Sequence, residues 1–206
     1  MSTETRIAKI ISIVFHPLTM PTYGFLLIFC SNNYIATFTP LRLKLVLLAV
    51  TFVFTFLLPT LNALVLLRMG KINSLEMETT RERTIPYVST TFYFFALFYL
   101  FYTAQFPAVF NAMILGAAIS ILLTLLINYR WKISAHAIGI GGMIGAAIGI
   151  SLRLGIDMRM MLMLVILCAG FVGYARLKVN AHSPAQVYSG FALGIVIELL
   201  LMIFYH

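Results

Sequence analysis

Residues 108–129, AVFNAMILGAAISILLTLLINY, carry no charged side chain. As an α-helix this run extends about 33 Å, enough to cross the hydrocarbon core of a bilayer. An extended strand there would leave its backbone groups unpaired in lipid, so helix is the conformation that fits. Working outward, charges and turn residues delimit further apolar segments at roughly 10–30, 43–67, 86–104, 133–152, 160–175 and 185–205. The reading is an all-α, polytopic transmembrane helical bundle of six to seven spans, forming one membrane domain over 1–206. The first segment is the irregular one. His16-Pro17 and Pro21 can split it into an interfacial piece and a shorter helix. Its start, with Arg6 and Lys9 but no clear small-residue cleavage site, reads as a retained span rather than a signal peptide.

Composition agrees. The chain is 62% apolar with a mean hydropathy of +1.01, well above a soluble domain. Its net charge of +8 comes from basic residues that flank the apolar runs. That placement points to topology and lipid headgroups, and away from nucleic acid. Cys30 and Cys168 sit at unrelated depths and read as packing residues.

Parity gives the spans a common face. Two spans separate the loop at 68–85 from that at 130–132, and two more separate the latter from 176–184. All three loops therefore lie on one side. With seven spans that side carries Arg6, Lys9, Arg68, Lys71, Arg81, Arg83, Arg130, Lys132, Arg176 and Lys178, ten cations against four opposite. The excess would be cytoplasmic by the positive-inside rule. Setting aside Lys71, Arg81, Arg83, Lys132 and Arg176 as candidate ligands leaves five against four, and charge no longer assigns the face.

Those loops hold the chemistry-bearing residues. Arg176 and His182 bracket the third loop. A guanidinium presents a fork of donors to phosphate oxygens, and a neutral imidazole can attack phosphorus. His136 opens the fifth span and can serve as a general acid, with Ser134 and helix N-terminal N–H groups helping to hold phosphate. Lys71, Arg81 and Arg83 lie in the first loop, which also contains Glu76, Glu78 and Glu82. Plain roles exist for each: interfacial anchors for Arg176 and the histidines, a solvated connector for 71–86. After His136, Gly141, Gly145 and Gly149 recur every four residues, a smooth stripe that allows close approach of a neighbour, such as the helix that follows His182. Glu198, in the last span, stands apart from the proposed site; an arginine, Arg153 or Arg159, is a candidate partner.

Together the loops resemble the phosphatidic acid phosphatase type 2 superfamily of membrane lipid phosphatases. That family has a lysine followed after six residues by Arg-Pro, then Pro-Ser-Gly-His, then Ser-Arg, five residues, His, three residues, Asp. Ala175-Arg176, His182 and Gln186 keep the third spacing, with Gly190 and Gly194 following. Ile133-Ser134-Ala135-His136 keeps the serine and histidine of the second. Arg81, Arg83 and Pro86 stand where the first belongs, without a lysine at the family spacing. The resemblance covers roughly 68–200.

It implies a lipid phosphate or polyprenyl diphosphate substrate and hydrolysis through a phosphohistidine, with no metal or other cofactor. His182 would be the nucleophile and His136 the acid. Arg176 with Arg81 and Arg83, aided by Ser134 and Lys71, would hold the phosphate. Gln186 would replace the aspartate that accepts the nucleophile's Nδ1–H, able to accept the bond but bringing no charge. That departure keeps a second reading open: a weakened or inactive member that binds lipid phosphate or serves as a membrane-complex subunit. The expected location is a bacterial inner (cytoplasmic) membrane, with oligomeric state and complex partners left open. A transporter would gather charges and broken helices near the midplane, whereas these charges cluster at helix ends.

Overall fold

The computed structural model describes residues 2–75, 77 and 79–206, so Glu76 and Glu78 lie outside the described residues. Among these every regular element is a helix, with no strand. The helices are α1 (Thr3–Val14), α2 (Met20–Cys30), a short α3 (Tyr34–Phe38), α4 (Leu41–Phe52), α5 (Leu58–Arg68), α6 (Thr80–Thr103), α7 (Ala108–Asn128), α8 (Ala135–Leu154), α9 (Arg159–Lys178) and α10 (Pro184–Phe204). Grouped by continuity they make seven units long and apolar enough to cross a membrane.

Two of the seven are compound. α1 and α2 are joined through a 3₁₀ turn at Pro17–Thr19. α4 and α5 are joined by a π-helical stretch, Val53–Leu57. Pro59 has no N–H to donate and its ring crowds the carbonyl four residues back, so a widened turn next to it has a local cause.

Boundaries move most where a helix begins or ends in polar residues. α6 starts six residues before the apolar segment does, because Thr79 and Glu82 form a reciprocal capping box. Arg81 and Arg83 are thus helical rather than loop residues, and two positions on a helix point in nearly opposite directions. α9 likewise continues through Arg176 to Lys178.

The closest helix pair is α8 with α10. A Cβ at Gly141 would fall 2.6 Å from the Phe191 carbonyl oxygen, and one at Gly190 would fall 2.8 Å from that of Ser134. Gly145 and Gly194 are equally confined, against Ile195 and Ile138 backbone. Small residues on both partners let the backbones meet, which brings the start of α8 beside the start of α10. α1 packs on the C-terminal half of α9, where Glu4 pairs with Lys178 and the Arg176 guanidinium donates to Ser12 Oγ at 3.2 Å. At the other end Arg153 donates to the Met202 and Tyr205 carbonyls of α10, while Arg159 pairs with Asp157. Neither arginine reaches Glu198, which is buried against Gly116 and Gly142, with one carboxyl oxygen that meets no hydrogen-bond partner among the described residues.

Candidate functional site

The turn that carries His182 is rigid for reasons written in its local sequence. Asn180 takes the left-handed conformation (φ 52°), which asparagine tolerates. The Asn180 and Ala181 N–H groups then return to the Leu177 and Arg176 carbonyls, closing α9 with a Schellman motif. One residue later Ser183 caps α10, Pro184 occupies its first turn, and Gln186 completes a capping box. His182 is the single residue between these two motifs.

Its ring is buried, 8% exposed, and Nδ1 stands 3.1 Å from the Lys132 carbonyl oxygen. A carbonyl only accepts, so Nδ1 carries the proton and Nε2 keeps its lone pair. Burial, then the Arg176 and Arg83 guanidiniums, lower the His182 pKa from 6.5 to about 4. The side chain is therefore neutral at pH 7 and its free nitrogen faces a cationic environment, the state a nucleophile toward phosphorus requires.

This geometry corrects the role expected of Gln186. Its Oε1 accepts from the Ser183 N–H at 3.0 Å and serves the helix start. The acceptor that sets the His182 tautomer is a main-chain oxygen from the loop before α8.

His136 sits one residue inside α8. Its Nε2 donates to the Ser12 carbonyl at 3.0 Å, which leaves Nδ1 as the nitrogen free to exchange a proton. Ser12 is within the last turn of α1, where helix carbonyls lose their intrahelical partners. The break at Phe15–His16 is thus what gives His136 its fixed partner.

A single cavity of about 1080 Å³ joins the groups. Its mouth is lined by Lys9, Arg83, Lys132, Arg176, His136 and His182; its interior by Met20, Phe94, Met113, Met143 and other apolar residues, with Glu198 at depth. Arg83 is 9% exposed and its Nε donates to the Met77 carbonyl at 2.8 Å. Asn128, at the end of α7, donates to the Thr80 carbonyl at 2.7 Å and fixes the first turn of α6 that aims Arg83 inward.

Of the residues expected from sequence, His182, His136, Arg176 and Arg83 share this cavity. Arg81, Lys71 and Ser134 do not line it. Arg81, in the first turn of α6, and Lys71, in the loop before it, are both exposed. Ser134 is fully buried and caps α8 through the Ala137 N–H, so its hydroxyl is used by the helix.

Sequence reasoning missed Ser12, His16 and Tyr87. Tyr87 follows Arg83 by four residues, hence one turn on the same face, a signal that was present. In sequence, His16 with Pro17 reads only as part of a helix break. Yet broken helix at membrane depth is tolerated where it lines a cavity, so the break itself pointed to a site.

No protein-family description, curated protein or solved structure matches the chain.

Proposed function

We propose that this membrane protein hydrolyses a phosphate monoester or diphosphate carried by a lipid, as its likeness to the phosphatidic acid phosphatase type 2 superfamily implies. The observation that carries the reading is the state of His182: a neutral imidazole with its Nδ1 proton on the Lys132 carbonyl, beside Arg83 and Arg176, at the mouth of a cavity with an apolar interior. An anionic headgroup belongs among the cations and an acyl or isoprenoid chain among the methionines and phenylalanine.

The chemistry follows from the free nitrogens. His182 Nε2 attacks phosphorus as the ester P–O bond breaks, and the guanidiniums of Arg83 and Arg176 offset charge on the equatorial oxygens. The departing alkoxide takes a proton through His136 Nδ1, the proton being one that the phosphate group brings in with its monoanion. Water then attacks the phosphohistidine, the P–N bond breaks, His136 recovers a proton from that water, and inorganic phosphate and the lipid alcohol leave.

One observation favours a second reading, lipid-phosphate binding without turnover. The His182 Nδ1 partner is a neutral carbonyl and not a carboxylate, so it fixes the tautomer with less stabilisation of positive charge on the ring. Purified protein in detergent distinguishes the two. Release of phosphate from phosphatidic acid, phosphatidylglycerol phosphate or a polyprenyl diphosphate, abolished in His182→Ala, supports hydrolysis. Saturable binding of these lipids without release supports the second.

A further inference from the structure

We propose that His16 is a phosphoryl-binding residue that donates an Nε2–H hydrogen bond to the anion held at the cavity mouth. The inference rests on the phosphate-site reading above and adds a ligand from the first span, which no motif of the resemblance supplies.

Three observations carry it. First, His16 caps the turn at Pro17–Thr19, and its Nδ1 accepts the Leu18 N–H at 3.3 Å. A ring nitrogen that accepts carries no hydrogen, so the neutral ring bears its proton on Nε2. Second, the ring stands edge-on to His136, with centroids 5.6 Å apart and planes at 76°, and lines the same cavity as Arg83, Arg176 and His182. With Nδ1 committed to the backbone, Nε2–H is the end of the ring left for a ligand. Third, Ser12, in the turn just before, accepts from His136 through its carbonyl and from Arg176 through its hydroxyl. The segment bearing His16 is therefore tied to two other groups of the site.

The cap also sets the character of the donor. A second proton on His16 would have to occupy Nδ1, which already accepts the Leu18 N–H. The ring accordingly works as a neutral hydrogen-bond donor in a fixed direction, an oxyanion ligand rather than an acid.

Two substitutions separate this role from helix capping. Asparagine is a preferred N-cap and places an acceptor near Nδ1, but it has no donor at the Nε2 position. Glutamine places an amide N–H near Nε2 and gives up the cap. Binding of orthovanadate to the full-length protein in detergent, measured without turnover, is the readout. His16→Asn should weaken orthovanadate by at least about tenfold while keeping the thermal midpoint. His16→Gln should stay within about threefold in affinity even where its midpoint falls. Wild-type affinity in His16→Asn with loss in His16→Gln would overturn the proposal in favour of capping.

In unsubstituted protein, ¹⁵N-histidine spectra follow the same event. The His16 Nε2–H resonance should move on orthovanadate addition, and an unmoved resonance, or no binding at all, overturns the proposal. Wild-type binding without lipid phosphate hydrolysis would instead sink the hydrolytic reading and leave the His16 comparison decisive.

Discussion

His182 Nδ1 and the carbonyl oxygen of Lys132 lie 3.1 Å apart, across the junction of α8 and α10. This bond joins the second and third loops at the histidine whose chemistry matters most. It exists because glycines on both helices allow their backbones to meet, so the tautomer of His182 depends on helix packing rather than on a dedicated side chain.

Gln186 should accordingly be dispensable for chemistry. Its side chain closes a capping box with Ser183, a contribution of about 0.3–1.5 kcal/mol to the helix start. Gln186→Ala should lower the thermal midpoint by a few degrees and leave phosphate release within about threefold. Gln186→Asp should give no large gain in rate. A tenfold or greater gain in rate would return the residue to the role of histidine partner.

Arg83 and Arg81 should behave oppositely although they are two residues apart. Arg83 lines the cavity and Arg81 is exposed. Arg83→Ala should weaken orthovanadate by roughly tenfold or more, since charge-assisted hydrogen bonds contribute about 1.5–3 kcal/mol. Arg81→Ala should change it less than about twofold. Equal losses would contradict the helical placement of the pair.

His182 should titrate low. Burial and the two guanidiniums disfavour its charged form, so the folded value is about 4 against an ordinary 6.5. Between these values the unfolded chain binds a proton that the folded chain does not, and folding stability falls as pH drops through the window. Above 6.5 that contribution is fully present. A histidine ¹⁵N titration should place the His182 midpoint near 4, whereas a midpoint near 6.5 would contradict the buried, cation-flanked setting.

Glu198→Leu should raise thermal stability. A buried carboxyl oxygen with no hydrogen bond costs about 1–3 kcal/mol, and an apolar side chain of similar size removes that cost. A lower midpoint for the leucine variant would show that the carboxyl has a stabilising partner.

The sequence was most legible where physics is local or periodic. Seven long apolar runs, only two of them holding a charged residue (Lys44 and Glu198), marked the spans, parity placed three loops on one face, and the glycine repeat after His136 matched the helix contact that forms. The site was legible only in part. Arg81 and Arg83 looked equivalent because apolarity hides a polar first turn, and only the capping box at Thr79 reveals the helix that separates them. By motif spacing Gln186 stands as a substituted aspartate, while Ser183-Pro184-Ala185-Gln186 also spells a helix start. His16 was illegible as a ligand because its approach to His136 is a tertiary event between the first and fifth spans.

The central claim is that His182 Nε2 takes the phosphoryl group. The direct measurement is to incubate the detergent-solubilised protein with phosphatidic acid labelled in its phosphate, quench in alkali, which preserves a phosphoramidate, and map the label by mass spectrometry. The account predicts acid-labile phosphate on the peptide containing His182 and none in His182→Ala. Phosphate release with no label on His182, or a label on another residue, would contradict it.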